Sequence, residues 1–171
     1  MRRLLLLRHA KSSWAEPGAS DHARPLNRRG QEAAPRIGAY LNRHKLVPDS
    51  VLCSTAQRTR ETWELVAAKM HAAPEATYVE RLYDATPRTL LDAFRHADTA
   101  AQSVLVVGHN PGLQELAARL APPDSEARHQ FREKLPTAAI VSFSFDVGNW
   151  KDLKPGTGQL QLSISPATMQ N

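Results

Sequence analysis

Apolar residues follow two rhythms along the chain. Short runs such as Leu4 to Leu7 and Val104 to Val107 alternate with longer stretches whose apolar positions recur every three or four residues. The first pattern marks strands covered on both faces, and the second marks helices with one buried side. Strands are predicted near Arg3 to Leu7, Ser50 to Cys53, Thr77 to Val79, Ser103 to Val107, Ala138 to Phe145 and Gln159 to Ile164. Helices fill the gaps. The first begins near Asn27 and turns Ala33, Ile37, Tyr40 and Leu41 inward, with Pro35 expected to kink it or delay its start. The second follows two capping residues, Ser54 and Thr55, and buries Thr59, Trp63, Val66 and Met70. The third and fourth open at Thr86-Pro87 and Asn110-Pro111, each a cap followed by a first-turn proline, and bury Leu90, Leu91 and Phe94, then Leu113, Leu116, Ala117 and Leu120. Asp124 to Lys134 is polar and reads as a short surface helix or a loop.

This alternation predicts an α/β fold: a three-layer α/β/α sandwich around a mostly parallel sheet. No helix separates the last two strands, so an antiparallel C-terminal hairpin is expected there. With 171 residues, 42% of them hydrophobic, the chain can bury one core, and a single domain over residues 1–171 is expected.

Charge narrows the ligand. The net charge is +5, and 16 of the 22 cationic residues are arginine, whose planar fork suits phosphate or carboxylate. The basic residues are interspersed with acids rather than gathered into a tract, which argues against a nucleic-acid partner. Cys53 is the single cysteine, so neither an intramolecular disulfide nor a cysteine-rich zinc cluster can form. Arg8 and His9 interrupt the first apolar run after four residues, too soon for a signal peptide, and no run reaches membrane-spanning length. A soluble, cytoplasmic, monomeric protein without a membrane partner is expected.

In open parallel sheets, ligands bind beyond the carboxyl ends of the strands. Arg8 and His9 end the first predicted strand. Cys53, Ser54 and Thr55 end the second, with Arg58 a turn later, and Gly108, His109 and Asn110 end the fourth. Taken singly, each of these arginines and histidines reads as an ordinary surface or structural residue. Together they bring two imidazoles and two guanidinium groups to one sheet edge, which suits phosphoryl transfer. Two forks can hold the equatorial oxygens and offset their charge without a metal ion. One neutral imidazole can attack phosphorus while the other donates a hydrogen bond as charge builds.

The same residues carry a family likeness. Leu6-Leu7-Arg8-His9-Ala10 resembles the arginine-histidine signature of the histidine phosphatase superfamily, the phosphoglycerate-mutase-like fold. Ser54-Thr55-Ala56-Gln57-Arg58-Thr59-Arg60-Glu61-Thr62 is similar to its second block, and Val106-Val107-Gly108-His109-Asn110 to its third. Arg24-Pro25-Leu26-Asn27-Arg28-Arg29-Gly30 lies between them, and the likeness runs from Leu4 to about Leu120. The resemblance implies that His9 is the phosphorylated nucleophile and that Arg8, Arg58 and His109, with Ser54, bind phosphate, with no cofactor. It implies a general acid after the third strand, where Glu80 stands, with Asp84 four residues on as the alternative. Such an acid needs a pKa raised toward the working pH. Ala10 replaces the family's usual glycine, so its φ should be negative.

Members acting on small phosphoesters commonly carry a lid insertion after the third strand. Here 22 residues separate Glu80 from Ser103, and a helix uses half of them, so an open site is expected. Length and layout are most similar to the SixA-type branch, which implies phosphohistidine on a partner protein as substrate. A phosphatase of small phosphoesters and a non-catalytic phosphoprotein-binding module are the alternatives. Free imidazole titrates near pH ~6.5, so activity should fall as His9 protonates unless the arginines lower its pKa.

Other chemistries fit poorly. A cysteine phosphatase needs five residues between cysteine and arginine, but four separate Cys53 from Arg58. Gly156-Thr157-Gly158 lacks the third glycine of a dinucleotide fingerprint, since Gln161 stands there. None of the seven histidines forms a helical metal pair, and His22, His44, His71, His96 and His129 are expected in solvent.

Overall fold

A computed structural model of the chain describes residues 1–14 and 16–169. Six strands form one sheet: β1 (Arg2–Arg8), β2 (Ser50–Ser54), β3 (Ala76–Val79), β4 (Ser103–Gly108), β5 (Ile140–Phe145) and β6 (Gln159–Ile164). Their spatial order is β3-β2-β4-β1-β5-β6. The first four run parallel, while β5 pairs antiparallel with both β1 and β6, as expected for the C-terminal hairpin. Five helices accompany the sheet: α1 (Arg28–Arg43), α2 (Gln57–Ala67), α3 (Pro87–Arg95), α4 (Gly112–Leu120) and α5 (Glu126–Gln130). Among the described residues, no helix is long and apolar enough to cross a membrane.

Strand β1 shows why the sheet needs two covering layers. Leu4, Leu5, Leu6 and Leu7 are all fully buried. Successive strand side chains point to opposite faces. Leu4 and Leu6 therefore join α3 and α4 through Leu90, Phe94, Leu113 and Leu116. Leu5 and Leu7 join α1 and α2 through Ile37, Leu41, Trp63 and Val66. A run that is apolar at every position can be satisfied only between two helical layers.

Two helix starts differ in detail from their sequence signals. Thr86 caps α3 as expected, accepting from the Thr89 N–H, and Pro87 takes the first turn. The caps expected for α2 do other work. Its N-cap is Ala56, because the Ser54 hydroxyl lies against the His109 ring and the Thr55 hydroxyl against His22. Asn110 does not cap α4 either: its amide donates to the Leu135 carbonyl, and the helix begins at Gly112. Helix α1 starts at Arg28, capped by Asn27, and runs unbroken through Pro35. Ala34, one position from the expected Ala33, is the fully buried alanine on that helix. Met70 is buried just beyond the end of α2. The polar stretch after Pro122 contains the short helix α5.

Two glycines bring helices close to the future site. A Cβ on Gly30 would lie 2.1 Å from the Lys11 carbonyl oxygen, so only glycine lets α1 press against the segment after β1. A Cβ on Gly112 would lie 2.2 Å from the Ala85 carbonyl oxygen, where α4 meets the loop that follows β3.

Candidate active site

The register of β1 and β4 assembles the core of the site. Arg8 pairs with Gly108 across the two parallel strands. His9 and His109 are therefore side by side, one residue beyond each carboxyl end, with ring centroids 5.4 Å apart. The His9 backbone is pinned from two sides, donating to the Gly108 carbonyl at 3.1 Å and accepting from the Ala138 N–H at 3.0 Å. Arg58 reaches the same place from the first turn of α2. The Thr62 hydroxyl, one turn further, accepts from the Ala10 N–H at 2.9 Å and donates to the Arg58 carbonyl at 2.7 Å. That contact ties the loop after His9 to the helix carrying Arg58. Ala10 avoids positive φ, as its side chain requires.

A cleft of about 320 Å³ opens here, lined by Arg8, His9, Arg58 and His109, with Arg24 and Asp84 also on its wall. Its polar atoms have unspent hydrogen-bonding capacity. Arg8 donates through Nη1 to the Leu135 carbonyl at 2.7 Å, but its buried Nε has no partner. Arg58 donates through Nη1 and Nη2 to the backbone oxygen and carboxylate of Asp21, leaving three of its five N–H groups. Buried donors left unpaired cost stability, and an oxyanion would pair them.

The two imidazoles are prepared for different tasks. His9 Nδ1 lies 2.7 Å from the Ala10 carbonyl oxygen, which can only accept, so Nδ1 carries the proton and Nε2 has the free electron pair. Desolvation, together with the charges of Arg8, Arg58 and Arg24, pushes the His9 pKa down to about 4, although its bond to Ala10 works the other way. Near neutral pH the ring is thus an uncharged base, and burial contributes more to that than the arginines expected to do so. His109 Nε2 lies 2.8 Å from the Ser54 hydroxyl, and its buried Nδ1 is unpartnered. When the Ser54 O–H donates to Nε2, Nδ1 holds a proton and can donate to an anion. Desolvation and the neighbouring His9 and Arg58 push the His109 pKa down to about 3.

Ser54 and Glu80 sit differently from their sequence assignments. Ser54 is fully buried and does not line the cleft; it reaches the ligand space only through His109. Glu80 begins a short 3-10 turn, Glu80–Leu82, that buries Leu82; Glu80 itself is exposed and does not line the cleft. The carboxylate on the cleft wall is Asp84, held in a left-handed turn at φ 52°. Of the segment between β3 and β4, Asp84 lines the cleft, and Tyr83 sets its ring edge-on to His109 with centroids 5.5 Å apart.

Asp21 and Tyr83 were not singled out from the sequence. Asp21 bonds Arg58, Arg24 and the Tyr83 hydroxyl, and these partners, the tyrosine foremost, hold its carboxyl well below the usual carboxylate range. It lies in a 3-10 turn with no buried residue, so no hydrophobic rhythm marks it. Cys53 is buried, and desolvation pushes its thiol up to about 12, which removes it as a nucleophile. The five other histidines are exposed as expected, and no cluster suited to a metal ion exists among the described residues.

Comparison with known proteins agrees with this geometry. The profile of the histidine phosphatase superfamily (branch 1) matches residues 4–86. An uncharacterized protein of Mycobacterium tuberculosis is 38% identical over 157 residues, spanning 90% of this chain and 96% of its own length. The assigned phosphohistidine phosphatase SixA of Nakamurella multipartitia superposes with a TM-score of 0.79 at 31% identity, covering 96% of each chain. The chain is a SixA-type member of the histidine phosphatase superfamily. The assigned SixA of Agrobacterium tumefaciens superposes with a TM-score of 0.81 at 29% identity, covering 96% of this chain and 98% of its own. Membership in the superfamily makes the SixA-type chain a phosphatase with the phosphoglycerate-mutase-like fold.

Proposed function

We propose that this phosphatase removes the phosphoryl group from phosphohistidine on a partner protein, through a phosphoenzyme on His9 and without a metal ion. The observation that carries this reading is the His9 tautomer. Its Nδ1–H is spent on Ala10, and Nε2 is bare in a cleft with unspent arginine donors. Arg8, Arg58 and His109 Nδ1 would hold the three equatorial oxygens, offsetting the charge that a metal ion offsets in other phosphoryl-transfer enzymes. Arg24 adds positive charge at the same wall.

In the first step Nε2 bonds to phosphorus as the phosphorus–nitrogen bond of the substrate breaks. A substrate ring protonated on its other nitrogen departs as neutral imidazole, while His9 becomes a phosphoimidazolium whose Nδ1–H still bonds Ala10. One imidazole replaces another, so no proton needs to be delivered. This explains how the exchange proceeds with Glu80 outside the cleft. In the second step water bonds to phosphorus, the electron pair of the breaking bond returns to Nε2, and phosphate leaves as dihydrogen phosphate. Asp84, a carboxylate on the cleft wall, would accept the water proton in passing. The enzyme would work as a cytoplasmic monomer, with its one thiol buried and unreactive.

The position of Asp84 favours one second reading, hydrolysis of small phosphoesters, in which its carboxylic acid would protonate an alkoxide leaving group. Steady-state rates in chelator separate the two. Phosphoramidate and a phosphohistidine peptide should turn over at least ~100-fold faster than phosphoserine, whose leaving group needs a strong proton donor. Faster turnover of phosphoserine overturns the reading, and turnover of none points to a binding module.

A further inference from the structure

Trp14 stands in solvent at the mouth of the catalytic cleft, 86% exposed. The other two tryptophans are buried, Trp63 at 3% and Trp150 at 0% exposure. Large apolar side chains left exposed beside a polar cleft mark contact surfaces, and tryptophan supplies a rigid face at small entropic cost. The ring does not sit on a loose tail. Ser12 bridges to Leu26, and the Ser13 N–H donates to the Pro25 carbonyl at 2.9 Å. Arg24 donates to the Ser13 carbonyl and the Ser12 hydroxyl, each at 2.8 Å, and its guanidinium lies 5.0 Å from the Trp14 ring centre. The residues before Trp14 are therefore held, and the ring is presented outward.

A second groove, about 220 Å³, adjoins the cleft and shares Lys11 and Thr137 with it; Arg29 lies further along. Both Lys11 and Arg29 are exposed, and neither has a carboxylate partner among the described residues. The surface around the cleft thus offers one stacking face and two unpaired cations beyond those committed to phosphate.

We propose that Trp14, Lys11 and Arg29 form a docking platform for the polypeptide that carries the phosphohistidine, selecting acidic sequence around it over basic sequence. The inference rests on the phosphohistidine reading above and names where the rest of that substrate lies. In that reading phosphate is held by Arg8, Arg58 and His109, so loss of Trp14 or Arg29 should affect peptide and protein substrates and not the smallest phosphoramidates.

The test uses the full chain and three substrates: phosphoramidate, and two twelve-residue peptides phosphorylated on a single histidine, one flanked by Asp and Glu, the other by Lys. Wild type should prefer the acidic peptide. Trp14→Ala should lower kcat/KM for that peptide about tenfold, mostly through KM, and leave phosphoramidate turnover as in wild type. Trp14→Phe should restore most of the loss, and Arg29→Glu should erase the preference for acidic over basic peptide. With the other tryptophans buried, binding of the acidic phosphopeptide to His9→Ala protein should also change emission from Trp14. Equal losses on phosphoramidate and peptide in Trp14→Ala, or no loss on either, overturn the platform while leaving the phosphohistidine reading intact. Emission changes with oligothymidylate that match those with the acidic peptide would assign the surface to nucleic acid and overturn it too. No turnover of any of the three by wild type brings down the phosphohistidine reading and the platform together.

Discussion

Arg2 and Arg8 begin and end the same strand, yet the two arginines serve opposite purposes. At the amino end, Arg2 is 7% exposed, and it donates to the Ala101 and Gly148 carbonyls, each at 2.7 Å, with its guanidinium near the Trp150 ring. Asp49, at the same end, accepts from the backbone N–H groups of Gln102 and Ser103. At the carboxyl end, Arg8 has a buried Nε with no partner, and His109 has a bare Nδ1. A groove of about 720 Å³ at the amino end, lined by residues such as Arg3, Tyr40 and Ser142, exceeds the catalytic cleft in size. Ser142 has an unpaired hydroxyl there, but the groove contains no paired imidazoles. What distinguishes a site from a cavity in this molecule is buried polar capacity left unspent next to a free nucleophile, and size does not measure it.

The largest effect that could break this contrast comes from the arginines themselves. Arg8→Met should reduce kcat/KM by ~10³-fold, with little change in the urea midpoint. Arg2→Met should do the reverse, leaving kcat/KM within about twofold while lowering stability by ~2 kcal/mol, the scale of buried hydrogen bonds to a charged group. Equal kinetic losses in the two variants would erase the distinction. Ser54→Ala comes next. Without the hydroxyl to set the His109 tautomer, kcat should fall about tenfold, since a lost buried hydrogen bond is worth ~1.4 kcal/mol. An unchanged kcat would mean that Ser54 is merely structural.

Protonation sharpens the contrast further. Both cleft histidines remain neutral in the native state well below pH 6.5, whereas in the unfolded chain they protonate near it. The unfolded state therefore binds more protons between those values. Their contribution to stability should be complete above about pH 6.5 and decline as pH falls toward 4 for His9 and 3 for His109. Ring-nitrogen NMR should show His9 and His109 neutral at pH 5.5. Titration of His9 near pH 6.5 would contradict the desolvated nucleophile. The smallest effect belongs to Glu80→Gln, which should leave phosphohistidine turnover within about twofold of wild type.

Much of this was legible in the sequence, for identifiable reasons. Strands β1 and β4 announced themselves because burial on two faces permits no polar interruption, and Thr86-Pro87 marked α3 because cap and first-turn proline act locally. The convergence of Arg8, His9, Arg58 and His109 followed from strand ends in a parallel sheet. Tertiary hydrogen bonds were not legible. They diverted Ser54 from a helix cap to the His109 ring and drew Asn110 to Leu135. The turn that buries Leu82, with Asp84 and not Glu80 on the cleft wall, was equally hidden. Asp21 could not be found by periodicity, because its value lies in reaching Arg58 and Tyr83, 37 and 62 residues away.

The account stands on one atom, Nε2 of His9, as the group that takes the phosphoryl. Rapid quenching in base during turnover, followed by peptide mapping and phosphorus NMR, tests it most directly. The predicted adduct is acid-labile, base-stable, borne on His9 through Nε2, and missing from His9→Ala. An adduct on Nδ1, on another residue, or at undiminished yield in His9→Ala would contradict it.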